Sequence, residues 1–190
     1  MSALAKRVDS VHYTYTDYLS WGDEKRWELI QGTAYAMAAL SDAHQTILLE
    51  IGTQFKTFLR GKKCRVYIAP FDVRLNALTL DDTVVQPDLL VVCDHSKLDG
   101  SSVKGAPDLV MEVLSPSTVK YDQVTKLRPY QQAGVREYWI VDPEHMLVRV
   151  HLLHSGVHNI YDMDDETIPV DILEGFSVDL RLVFGDLLDM

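Results

Sequence analysis

The chain has 190 residues, with 18 Lys and Arg against 28 Asp and Glu, and a formal net charge of −10. That length suits one domain with its own core, and 47% hydrophobic with 24% charged residues excludes a disordered or collagen-like chain. No apolar run reaches the roughly 20 residues that span a bilayer, and the N-terminus lacks the apolar stretch of a signal peptide, so a cytoplasmic protein without a membrane partner is expected.

In chain order, residues 16–21 read as a short helix capped by Thr14 or Thr16. Residues 27–30 and 34–38 flank Gln31-Gly32-Thr33 as a β-hairpin. Ser41 and Asp42 can cap a helix reaching about Arg60, because Ile47, Leu48, Ile51, Phe55 and Leu59 recur at helical spacing, and Gly61 ends it. Lys56, Arg60, Lys62, Lys63 and Arg65 then put five cations into ten residues without one acid. That run reads either as a solvated helix end or as a patch that contacts phosphates. Residues 65–69 and 71–75 are strand-like, with Pro70 separating or bending them.

Residues 87–93 form a near-continuous apolar run, as expected of a central strand covered on both faces. A Gly/Ser/Lys loop from about Asp94 to Pro107 leads to a second buried strand, 108–114. The chain then turns into a helix that reaches about Ala133 and stops at Gly134, followed by strands at 136–141 and 147–153. A strand–helix–strand unit from Glu112 to Val141 implies an α/β or α+β fold, with a mixed central sheet flanked by helices. Cys64 and Cys93 make neither a disulfide framework nor a zinc site, and read as buried or inert thiols of a reducing cytosol. His151 and His154 are three apart, so they take opposite faces of a strand and suit no joint metal site. Residues 141–190 carry −9 of the net charge and residues 1–140 only −1, so the motif-bearing part is nearly neutral.

An acid inside an apolar strand is costly unless it is paired, protonated or bound to a metal. Asp88 opens one such strand and Glu112 lies near the end of the next. Neighbouring strands lie about 4.8 Å apart, so these two can share a cation, whereas Asp108 and Glu112 on one strand are about 13 Å apart. Magnesium or manganese takes one or two carboxylates together with waters and phosphate oxygens. The pair reads either as metal ligands or as a turn aspartate and a buried glutamate satisfied by a partner. Lys126, four residues after Asp122 on one helix face, reads either as half of an exposed ion pair or as a group that positions an attacking water. Pro129 is expected to bend or end that helix by clashing with the carbonyl of residue 125.

Four segments occur together in one order: Gln86-Pro87-Asp88-Leu89, then Met111-Glu112-Val113-Leu114-Ser115-Pro116-Ser117, then Asp122 with Lys126, then Gly134 through Pro143. This arrangement resembles the Uma-two family of restriction-endonuclease-like proteins, in the PD-(D/E)XK nuclease-like superfamily. The resemblance runs from about Thr14 to Phe184 and takes in Glu28-Leu29-Ile30-Gln31-Gly32 and His44. It implies one restriction-endonuclease-like domain that hydrolyses phosphodiester bonds in DNA with Mg²⁺ or Mn²⁺, held by Asp88 and Glu112. The superfamily lysine normally stands two residues after the acid, where this chain has Leu114; the resemblance moves it to Lys126, with Lys120 as the substitute.

Glu28 resembles an additional N-terminal acid of the metal site, or is simply a polar hairpin position. His44 would approach the site from the first helical turn, or is a satisfied structural histidine. Lys56, Arg60, Lys62 and Lys63 are the candidate nucleic-acid contacts, and a homodimer would match the two-fold symmetry of a duplex. The alternative from another class is a non-catalytic binding or scaffold protein that keeps the fold. A third is a metal-dependent hydrolase of another phosphate or nucleotide.

Overall fold

Helical spacing and strand alternation lay out most elements where expected, over the residues that the structure, a computed structural model, describes: 12–22, 26–37, 40–115 and 125–189. Helix α1 (Tyr15–Leu19) starts after Thr14, whose N–H donates to the Asp17 carboxylate. Strands β1 (Trp27–Ile30) and β2 (Thr33–Ala36) form the hairpin. Helix α2 (Asp42–Leu59) is capped by the Ser41 hydroxyl and buries Ile47, Leu48, Ile51, Phe55 and Leu59 along one stripe. It stops where Gly61 takes φ +75°, a conformation that favours glycine.

The remaining strands are β3 (Arg65–Ile68), β4 (Asp72–Arg74), β5 (Val84–Val85), β6 (Leu89–Val92), β7 (Ser102–Lys104), β8 (Leu109–Val113), β9 (Glu137–Asp142), β10 (Leu147–Leu152), β11 (Val157–Tyr161), β12 (Thr167–Pro169) and β13 (Ser177–Asp179). Helix α3 (Leu127–Ala133) precedes β9, and α4 (Leu180–Gly185) follows β13. Two mixed sheets result, ordered β11-β10-β9-β8-β6-β3 and β2-β1-β5-β4-β7, with β12 and β13 as a separate pair. In the larger sheet β8 and β9 run parallel and their neighbours antiparallel.

The larger sheet is covered on both faces, as the continuous apolar runs imply. On one face Leu89, Val91, Leu109, Met111, Trp139 and Val141 pack against α2 and the segment from Ile168 to Phe184. On the other, Leu90, Val110, Tyr138 and Ile140 meet Tyr130 of α3 and Ile30, Val73, Val85 and Val103 of the smaller sheet. The acidic C-terminal portion is therefore amphipathic, with apolar side chains inward. The expected mixed sheet with flanking helices is what the structure shows.

Three expectations are corrected or narrowed. Of the helix expected up to Ala133, the described part is α3; Lys120 and Asp122 lie outside the described residues. Pro129 is the third residue of α3, which begins only at Leu127, so it stands in a first turn where a backbone N–H needs no helical partner. Cys64 and Cys93 are not free thiols but a disulfide, with Cα atoms 4.0 Å apart. Arg65 faces Val92 across β3 and β6, so the residues one step outward must face each other too. The bridge removes the support that free thiols lent to a reducing compartment. No helix among the described residues is long and apolar enough to cross a membrane.

Candidate active site

The antiparallel register of β6 and β8 pairs Leu89 with Met111 and Leu90 with Val110, so the next step sets Asp88 opposite Glu112. The chain reaches Asp88 from β5 through Gln86 and Pro87, crossing from the smaller sheet to the larger. β1 pairs with β5, which brings Glu28 to the crossing. The three carboxylates are nearly sealed from water: Glu28 is 2% exposed, Asp88 5% and Glu112 4%. Burial at that level demands compensation.

Lys126 supplies part of it. Itself 2% exposed, its Nζ lies 3.0 Å from Glu28 Oε1 and 2.8 Å from Glu112 Oε1. Tyr130, one helical turn on and on the same face, donates its hydroxyl to the same Glu112 Oε1 at 2.8 Å. Glu28 Oε1 also accepts the Gln86 N–H at 2.8 Å. Burial first, and the Glu112 charge second, push the Tyr130 phenol well above its ordinary range, while Lys126 acts in the opposite sense. Tyr130 is thereby held as a protonated donor.

Asp88 is fixed separately. Its Oδ2 accepts the Val113 N–H at 2.8 Å and lies 3.0 Å from His44 Nε2. The Ser41 hydroxyl accepts the His44 backbone N–H at 3.2 Å, which shapes the first turn of α2 that carries the ring. With Nε2 spent on Asp88, His44 Nδ1 is a buried nitrogen with no partner among the described residues.

Among the described residues, three buried carboxylates thus stand with one buried ammonium, a surplus of negative charge. Asp88 Oδ1 and Glu28 Oε2 accept no hydrogen bond from the described residues. Among the described residues no group of three or more acidic, histidine or cysteine side chains is placed to hold a metal ion. Asp88 and Glu112, opposite each other across β6 and β8, are a carboxylate pair of the kind that magnesium takes together with water and phosphate oxygens. The residues present fit such an ion.

The basic run lies elsewhere. At 1.5 Å per residue, Arg60 is about 24 Å from His44 along α2, at the end of the helix remote from the acids. Lys56 and Arg60 line a groove of about 560 Å³ between α2 and β3 that reaches Ile68, whose strand partner is Leu89, beside Asp88. The Lys62 ammonium stacks 3.0 Å from the centre of the Phe58 ring, and Lys63 is exposed. Asp108 does not join the site and instead accepts the Cys93 N–H at 2.7 Å. His151 and His154 do not meet; His151 Nδ1 instead lies 2.7 Å from His158 Nδ1 across β10 and β11. Sequence reasoning missed Tyr130 and Gln86. The first had a signal, its four-residue spacing from Lys126; the second lies in the Gln86-Pro87-Asp88-Leu89 segment, where a neutral amide carries no charge to mark a role.

Comparison with known proteins bears on the family and the fold. Residues 15–181 match the Uma2 family model, described as "Putative restriction endonuclease". An uncharacterised protein of Synechocystis sp. is 34% identical over 143 residues, covering 74% of this chain and 73% of its own length. A solved structure of a "putative nuclease belonging to DUF820" from Anabaena variabilis superposes with a TM-score of 0.75, over 91% of this chain and 98% of that one. Its sequence identity is 18%, so that likeness is one of fold.

Proposed function

The chain belongs to the Uma2 family, and from that premise we propose that it is a metal-dependent endonuclease that hydrolyses phosphodiester bonds in DNA. The observation that carries this reading is the surplus of buried negative charge, Glu28, Asp88 and Glu112 around Lys126, where the two sheets meet. Asp88 and Glu112 would hold Mg²⁺ or Mn²⁺, with Glu28 as a further acid. Such an ion supplies polarisation of the scissile phosphate and a lower pKa for the attacking water.

The chain's own groups do the rest. Lys126 keeps Glu28 and Glu112 together and offsets negative charge that builds on the phosphate. Tyr130 fixes the Glu112 carboxylate, while the Val113 N–H and His44 orient Asp88. The groove lined by Lys56 and Arg60 gives the phosphate backbone a track toward Ile68, with Lys62 and Lys63 at its far end. With a net charge of −10, that grip is weak and salt-sensitive. Cutting both strands calls for two such sites, which a homodimer supplies; sedimentation velocity tests the assembly.

Purified protein with Mg²⁺ or Mn²⁺ should cleave duplex DNA, and Asp88→Ala and Glu112→Ala should each reduce the rate at least about 10²-fold. No cleavage by the wild type, or unchanged cleavage in either variant, overturns the reading. One observation favours the scaffold alternative: Lys126 already neutralises one oxygen of both Glu28 and Glu112. Titration with Mn²⁺ separates the two. The nuclease binds the ion and loses it in Glu112→Gln, whereas a scaffold does not respond.

A further inference from the structure

Arg26 stands immediately before β1 and shares a strand face with Glu28, two residues on. Its Nε and Nη2 both donate to one neutral oxygen, Gln86 Oε1, at 3.0 and 2.9 Å. The same glutamine gives its backbone N–H to Glu28 Oε1 at 2.8 Å. Its amide Nε2 donates to Asp72 Oδ1 at 2.8 Å and to the Tyr18 hydroxyl at 2.9 Å. Gln86 therefore sets the guanidinium beside the acid cluster and fixes its direction.

What distinguishes Arg26 is the partner it lacks. A half-buried guanidinium ordinarily takes a carboxylate. Of the three half-buried arginines among the described residues, Arg74 faces Asp81 and Asp99, and Arg149 faces Asp142. Arg26 has no acid within ion-pair distance among the described residues, although Asp72 and Glu28 are each one hydrogen bond away through Gln86. Those acids are already engaged: Glu28 with Lys126, Asp72 with the Tyr15 and Tyr18 hydroxyls, and Asp88 with His44 and Val113. A glutamate at position 86 would have paired with the guanidinium directly; the amide holds it in place without giving it an ion pair among the described residues. Three of its five N–H donors remain unspent on the described residues. A planar fork of this kind matches the paired oxygens of a phosphate.

We propose that Arg26 binds a backbone phosphate of the nucleic acid, next to the phosphate engaged at Glu28, Asp88 and Glu112. This rests on the phosphodiesterase reading above and adds a substrate contact to it. The contact is to the backbone, so it carries affinity and placement but no sequence preference.

The test is duplex binding by fluorescence anisotropy across a salt series, without divalent metal, for wild type, Arg26→Gln and Arg26→Lys, with thermal melts to establish that each variant is folded. Arg26→Gln should weaken binding by a similar factor on unrelated duplexes. It should also reduce the slope of log affinity against log salt by about 0.9, the loss of one phosphate contact. Arg26→Lys keeps the charge and should keep the slope while losing affinity with the fork. A slope unchanged in a folded Arg26→Gln, against a wild type that binds, overturns the Arg26 contact and leaves the nuclease reading standing. A wild type that neither binds nor cleaves duplex overturns both.

Discussion

Two glutamates are buried on neighbouring strands of the larger sheet, Glu112 on β8 and Glu137 on β9, and their surroundings differ in kind. Glu112 shares Lys126 with Glu28 and accepts the Tyr130 hydroxyl. Glu137 lies on the opposite face beside Trp139, and the side-chain partners it has are neutral: the Trp139 indole N–H at 2.7 Å and the Ile172 N–H at 3.2 Å. Burial accordingly pushes the Glu137 carboxyl up, against the pull of those hydrogen bonds. Where the fold needs only a pin between β9 and the C-terminal segment, neutral donors serve. Where it keeps acids in surplus, it also keeps a buried cation. A buried carboxylate thus marks no site by itself; the shared buried ammonium is what sets Glu28 and Glu112 apart from Glu137.

The contrast breaks most readily at Lys126. Lys126→Met strands Glu28 and Glu112 and should cost about 3–5 kcal/mol of stability in urea unfolding, with part of the loss restored by Mn²⁺. A loss below about 1 kcal/mol would mean that Lys126 forms no more than a surface pair. Glu137→Ala comes next, at about 1–3 kcal/mol, because it leaves the Trp139 and Ile172 donors unsatisfied. Its Mn²⁺ response should match the wild type; an altered response would erase the distinction between the two acids.

The pH dependence of Glu137→Ala carries a sign. A carboxyl raised in the fold contributes stability that is full below the ordinary value of 4.5 and is lost as pH rises through the folded value. The penalty of the substitution should therefore be larger in mild acid than at neutral pH. The smallest effect belongs to His151, whose imidazole is held below its ordinary value by burial first, then by His158 and Arg149. Its contribution is present above pH 6.5 and is lost as pH falls toward the folded value. Melting temperatures of His151→Asn should decline less steeply than wild type over that acid side.

Much of the fold is legible in the sequence. The strands through Leu89, Met111 and Trp139 announced themselves because both faces are buried, which removes polar alternation. Asp88 and Glu112 followed as a pair because consecutive central strands tend to be neighbours. The β5, β7 and β12 strands are two or three residues long, too short for any period to register. The Cys64–Cys93 bridge depends on the β3–β6 register, which no local pattern encodes. Lys126 stood out, but its tie to Glu28 joins two sheets and has no trace in spacing. Least legible was Arg26, whose character lies in having no acid beside it.

The pairing of β6 with β8 has a consequence for how such a protein can change. Asp88 and Glu112 face each other through the strand register, so the chain between the strands has no part in setting their distance. The exposed turns of that connection, 94–96 and 99–101, can lengthen or acquire new contacts while Cys93, β7 and the two acids stay where they are. A single residue lost inside β8 would instead turn Glu112 toward the opposite core. Tolerance and intolerance to insertion thus lie a few residues apart. Lineages are left at liberty to remodel what the surface meets without disturbing the acids beneath it.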